Sequence, residues 1–191
     1  MKRQIRRGCF ETNSSSTHAI CITKTDVNKE GLPSHVTFTH GEFGWENNEY
    51  SDLWSKASYL YQAICSCYEG DEKTEVINKI TESLGEYGIS CDFEPDKDKE
   101  WGDGYIDHGY ETIDFVKDVL EDSEKLLRYL FGDSIVITGN DNSDGYSDRM
   151  YVNEGEEVTK WGTYTRYGDL KPEFDNYEVY KKGNWDYEET N

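Results

Sequence analysis

His18-Ala19-Ile20-Cys21-Ile22-Thr23 decides the fold. Its side chains include β-branched residues, and apolar groups fall at both odd and even positions. That pattern predicts a strand covered on both faces. Downstream, Val36-Thr37-Phe38-Thr39 alternates and reads as a second strand, with Asn28 to Pro33 as the turn before it. Gly41 to Glu49 reads as a loop anchored by Phe43 and Trp45.

Helical periodicity then takes over. Leu53, Trp54, Ala57, Leu60, Tyr61, Ile64 and Cys65 form one stripe within 51–68, and Ser51 or Asp52 is suited to cap its start. Val76, Ile77, Ile80, Leu84 and Tyr87 repeat the pattern over 72–87, and Gly88 is placed to stop that helix. A short strand follows at Ile89–Phe93, then an acidic, glycine-bearing surface loop from Pro95 to Gly109. Residues 111–131 give a third helical region, which Asp122-Ser123 divides. Ser134-Ile135-Val136-Ile137-Thr138 is the clearest strand and suits a central position. Close-set turn signals over the last fifty residues predict short strands or ordered loops. Strands at both ends with helices between them predict an α+β domain: a mixed or antiparallel sheet with about three to four helices. No fixed-period repeat or Pro/Ser-rich linker divides the chain, so 1–191 reads as a single domain.

A chain of 191 residues buries roughly 70% of its unfolded surface without staples. Its hydrophobic fraction is low at 35% and its aromatic fraction high at 14%, which predicts a core built on large rings. Net charge is -20. Such a surface opposes direct contact with nucleic acid or an anionic membrane. It leaves basic proteins, cations, and small ligands in a locally positive pocket as partner classes. The five Cys form no C-x-x-C pair, and no apolar run has the length of a signal or membrane-spanning segment. These features point to the cytoplasm, with reduced thiols.

Charge is unevenly spread. Residues 1–30, the head, carry +3, so the acidic body at 31–191 carries -23. Within the head lies Glu11-Thr12-Asn13-Ser14-Ser15-Ser16-Thr17-His18, an unbroken polar string preceded by Arg6 and Arg7. It reads either as a polar loop or N-cap, since Asn and Ser bond their own backbone, or as a ligand site. Hydroxyls, an amide, backbone N–H groups and two guanidinium groups suit a small anion such as phosphate. The candidate binding residues are therefore Arg6, Arg7, Glu11, Asn13, Ser14, Ser15, Ser16 and His18. A nucleophile drawn from Ser14–Ser16 or Cys9, activated by His18 and oriented by Glu11, is a weaker reading and assigns no catalytic residue.

The segment Arg7-Gly8-Cys9-Phe10-Glu11-Thr12-Asn13-Ser14-Ser15-Ser16-Thr17-His18-Ala19 resembles the N-terminus of a loose, uncharacterised family of phage and Gram-positive bacterial proteins. That family begins with a basic strand followed by F-E-T-N-S-S-S-[ST]-H-[ST]. The resemblance spans about 15 of the 191 residues, and Ala19 replaces the expected hydroxyl. It implies a mobile-element origin and a purposeful head, and brings no reaction with it.

Other motifs read more plainly. Asn140-Asp141-Asn142-Ser143-Asp144-Gly145 matches half of a calcium loop, but Tyr151 stands where the bidentate Glu is required, so an Asx-type turn is expected. His35, His40 and His108 lack a ligand partner at metal-site spacing, so the sequence predicts neither a metal nor a cofactor. Carboxylates interleaved with aromatics recur over 94–107 and 174–189. Spaced carboxylates imitate a phosphate backbone, and Tyr supplies contact area at low entropic cost.

Two functions remain open. One is an acidic binding factor of phage origin that inhibits a basic, nucleic-acid-binding or defence protein of the host, by nucleic-acid mimicry. The other is an enzyme or a nucleotide- or phosphate-binding domain with its site on the head.

Overall fold

The predicted double-faced strand is the second of four in the principal sheet. The computed structural model describes residues 16–44, 46–96, 104–140, 146–160 and 162–182. Strand β1 (Ser16–Thr23) is buried along its whole length. It pairs antiparallel with β10 (Tyr177–Lys182) on one side and β7 (Ile135–Asn140) on the other. A short strand, β4 (Asn48–Tyr50), pairs antiparallel with β7 and completes the order β10-β1-β7-β4.

Side-chain alternation sends the two parities of β1 to different layers. Ile20 and Ile22, with Val136 of β7, face helices: α1 (Leu53–Cys67), α3 (Ile113–Glu121) and α4 (Ser123–Phe131). Ala19 and Cys21, with Ile137, face the C-terminal segment. There the cover is Tyr146, Met150 of the helical turn α5 (Ser147–Met150), and Phe174 of the 3-10 turn Pro172–Phe174. Arg149 holds this cover in place. Its Nε is 2.6 Å from Glu49 Oε1, another guanidinium nitrogen meets Glu173, and the group lies 4.8 Å from the Phe174 ring centroid.

The helical layer is built on rings, as the composition predicts. Tyr59 of α1 lies 4.9 Å from Phe43 and 6.3 Å from Phe115, and Phe115 lies 5.1 Å from Tyr129. Asp52 caps α1 by accepting from the Ser55 N–H at 3.0 Å. Helix α2 (Gly70–Gly85) ends before Gly88, whose φ of +74° suits glycine alone among common residues. The third helical region does break at Asp122, whose side chain caps α4 through the Glu124 N–H.

Two stretches read as loops contain strands. Gly41–Glu49 holds β3 (Glu42–Phe43) and the start of β4, and Pro95–Gly109 holds β6 (Tyr105–Ile106), parallel to β3. Two-residue strands leave no periodicity to read, and Phe43 and Ile106 are nonetheless buried. Likewise β2 (His35–Phe38) pairs parallel with β5 (Ser90–Phe93). The fold is therefore a single-domain α+β arrangement, with an antiparallel main sheet and small parallel pairs beside it. Its five α-helices among the described residues include one of four residues. The last two strands, β8 (Tyr151–Thr159) and β9 (Gly162–Leu170), form a separate antiparallel hairpin.

Lys56 is an exception to the polar-out rule. It lies inside α1 at 1% exposure, and its Nζ donates to the Gly132 carbonyl at 2.8 Å. Burial pulls its pKa down to about 8, against the opposing pull of Asp133 and Asp52. The unfolded chain keeps this proton up to about pH 10.5, whereas the folded chain releases it from about pH 8. The unfolded state thus binds more protons across that window, and this residue's contribution to stability rises with pH. In urea denaturation, Lys56→Met is expected to gain stability relative to wild type near neutral pH. That advantage should shrink by on the order of 2 kcal/mol by pH 10.5. A pH-independent difference would contradict the burial argument.

Candidate functional site

Of the eight candidate binding residues, Ser16 and His18 are described; Arg6, Arg7, Glu11, Asn13, Ser14 and Ser15 lie outside the described residues. Ser16 and His18 share the helix-facing parity of β1, and both are completely buried. The Ser16 N–H donates to Asp107 Oδ2 at 3.1 Å, and its hydroxyl donates to the Asp107 main-chain oxygen at 3.2 Å. Asp107 therefore fixes the point at which the head enters the sheet.

His18 is held on both sides. Nδ1 is 2.9 Å from the Tyr59 hydroxyl and Nε2 is 3.3 Å from the Gly44 carbonyl. A carbonyl only accepts, so Nε2 carries the proton, and in the neutral ring Nδ1 accepts from Tyr59. Burial drives the Tyr59 pKa far upward, so this phenol remains a donor at any ordinary pH. These two bonds hold the imidazole against Tyr59 and Gly44 inside the core.

Beside Ser16 stands a compact acidic corner. His108 follows Asp107 with φ at +53°, the one non-glycine residue at positive φ among the described residues. It opens the 3-10 turn Gly109–Thr112. Its ring nitrogens lie 3.8 Å from Asp107 and 3.6 Å from Glu111. Glu111 Oε2 is buried without a hydrogen-bond partner among the described residues. Glu111 also lines a cavity of about 250 Å³ whose walls include Ile20, Thr112, Asp114, Phe115, Tyr180 and Lys181. The described charge bonded to Ser16 is therefore the Asp107 carboxylate, Lys181 borders the cavity beside Glu111, and Arg6 and Arg7, which the anion reading also calls on, lie outside the described residues.

A larger cleft, of about 580 Å³, opens at the other end of β1. Thr23, Asp26, Leu32, Lys56, Phe131 and Asp133 are among its lining residues. Sequence reading missed Lys56, because a lysine on a helix is ordinarily taken as solvated. Its place amid Ala57, Leu60 and Tyr59 was the available signal.

The third feature is the β8–β9 hairpin. Nearly every residue of β8 is exposed, and most of β9 is exposed or half-exposed. Val158 is 79% exposed and Tyr164 53%. They point to opposite faces, since Val158 pairs with Thr163 and Tyr164 with Glu157. Glu154, Glu156, Glu157 and Asp169 add acidity, and Glu154 pairs with Arg166 at 3.3 Å. The calcium-like half-loop starts at Asn140, the last residue of β7, and its remaining positions, 141–145, lie outside the described residues.

Comparison with protein families, with characterised proteins and with solved structures finds no match to this chain. Among the described residues, no helix is long and apolar enough to cross a membrane.

The bonding at the head's entry sets an order of sensitivities. Tyr59→Phe takes a buried hydroxyl from His18 and is expected to cost about 1–3 kcal/mol. Ser16→Ala keeps the backbone bond to Asp107 and is expected to cost about 1 kcal/mol or less. Chemical denaturation of the two variants checks the order, and a reversed order would contradict a structural His18.

Proposed function

We propose that this chain is an acidic protein-binding factor that docks on a basic, nucleic-acid-binding protein and blocks its groove. The observation carrying this reading is the β8–β9 hairpin. An isolated two-stranded ribbon is marginal in water, and this one offers apolar groups on both faces. A binding partner supplies the missing cover. The body's charge of -23 selects the partner's sign. Complementary charge speeds the encounter, while the apolar groups hold the complex. The exposed Asp71, Glu72, Glu75, Glu82 and Glu86 on and just after α2 extend the acidic surface. The phage-type origin implied by the head points to a host nucleic-acid-handling or defence protein as the target, with inhibition by nucleic-acid mimicry.

The test uses full-length chain immobilised in host lysate at low salt. A nucleic-acid-binding protein should be retained, released by rising salt, and displaced by duplex DNA. The double variant Val158→Ser/Tyr164→Ala should bind that protein at least ~10-fold more weakly with an unchanged circular dichroism spectrum. Retention of no nucleic-acid-binding protein, or binding indifferent to DNA, would overturn the reading.

The second reading, a nucleotide- or phosphate-binding or enzymatic site on the head, is favoured by the Ser16 corner. Left-handed backbone at His108, and a buried Glu111 oxygen with no hydrogen-bond partner among the described residues, are the kind of strain that functional sites retain. It requires that Arg6→Ala or a triple Ser14→Ala/Ser15→Ala/Ser16→Ala variant abolish phosphate or nucleotide binding measured by calorimetry. Absence of such binding in the wild-type chain removes it.

A further inference from the structure

We propose that His40, Cys65 and Asp96 form a binding site for a thiophilic divalent cation, with zinc as the ion their chemistry fits best. No contiguous motif announces it, because the three come from separate elements. The parallel pairing of β2 with β5 places Phe38 opposite Phe93. His40 follows two residues after Phe38 and Asp96 three after Phe93, so both leave the same end of that ladder. Cys65 lies in the last turn of α1, which packs on β2. Their ligand atoms all fall within 4.8 Å of one another. One nitrogen, one sulfur and one carboxylate oxygen make a donor set typical of zinc, with a fourth position left to solvent.

The independent sign of a ligand is the state of His40. Its side chain is 5% exposed. Nδ1 lies 3.2 Å from Gln62 Oε1 and donates to it. With Nδ1 engaged as donor, Nε2 is the nitrogen turned toward a ligand, the arrangement that outer hydrogen bonds impose on metal-binding histidines. Nε2 has no hydrogen-bond partner among the described residues and points at the Asp96 carboxylate 3.5 Å away. A cation held between Nε2 and the Asp96 carboxylate would satisfy both groups.

A cation already stands next to this gap. Lys73 Nζ is 2.6 Å from Asp96 Oδ1, 5.2 Å from the Tyr61 ring centroid, and in contact with the Cys65 thiol. Asp96 and Lys73 balance one another. Binding of a divalent ion displaces the Lys73 ammonium toward solvent and releases the Cys65 thiol proton to water. The thiolate and the Asp96 carboxylate then balance the ion's two charges. Lys73 is thus a built-in competitor, and the bound ion clamps the ends of β2 and β5 onto α1.

The experiment titrates full-length, fully reduced protein with Co²⁺ and reads its absorbance, then displaces Co²⁺ with Zn²⁺. One equivalent should give a thiolate-to-cobalt charge-transfer band with the visible bands of four-coordinate cobalt. Cys65→Ser should lose the charge-transfer band, while Cys91→Ser keeps it. His40→Asn should weaken binding ~10-fold or more, and Lys73→Met should tighten it. Zn²⁺ should raise the melting temperature of wild type and not of Cys65→Ser, with the folding of all four variants checked by circular dichroism. Cobalt binding without a thiolate band, or a band that survives Cys65→Ser, would overturn the proposal in favour of loose binding by surface carboxylates. So would unchanged affinity in both His40→Asn and Lys73→Met.

Discussion

The burial of β1 on both faces is the constraint on which the rest depends. One parity of the strand meets the helical layer and the other meets the C-terminal cover, so neither layer can leave without exposing Ile20 and Ile22 or Ala19 and Cys21. The same alternation carries Ser16 and His18 inward with the isoleucines. Polar groups there have to be bonded, because an unpaired buried donor or acceptor costs more than its bond contributes. Asp107 and Tyr59 supply partners at the point of entry. The motif therefore ends as part of the sheet's interior, and any ligand chemistry in the head belongs to its earlier residues or to the acidic corner beside Ser16.

Strand β1 does not organise the β8–β9 hairpin. The chain covers the sheet with α5 and the Pro172–Phe174 turn, yet between them it sends out a hairpin of two nine-residue strands. Nothing on the sheet compels that excursion. Carboxylates along it raise the cost of contact with a like-charged surface and lower it for a basic one. An apolar tip inside an acidic field is the arrangement that supports a protein partner over a nucleic acid.

Much of the fold was legible where periodicity runs long enough. The α1 stripe, the stop at Gly88, the break at Asp122 and the β7 strand all carry local signals that the tertiary structure respects. What stayed hidden depends on pairing across the chain. The two-residue strands at Phe43 and Ile106 have no period, and the parallel register of β2 with β5 is set by packing on α1. The convergence of His40, Cys65 and Asp96 follows from that register and leaves no spacing rule to find. Lys56 was missed because its burial is decided by α4 and Gly132, far away in sequence. His18 was legible as chemically special, but its strand position, which turns it toward Tyr59, was not.

Strand β1 is the sealed axis of the fold, whereas the β8–β9 hairpin is anchored at its base by Tyr151, Leu170 and Tyr167 and is largely exposed beyond it. Amide hydrogen exchange on the free protein tests this most directly, resolved by strand. Amides of β1 and β7 should exchange only through global unfolding, and those of β8 and β9 at least ~100-fold faster through local opening. Protection of β8 and β9 equal to that of β1 in the free protein would contradict the account, because the hairpin would then already have its cover.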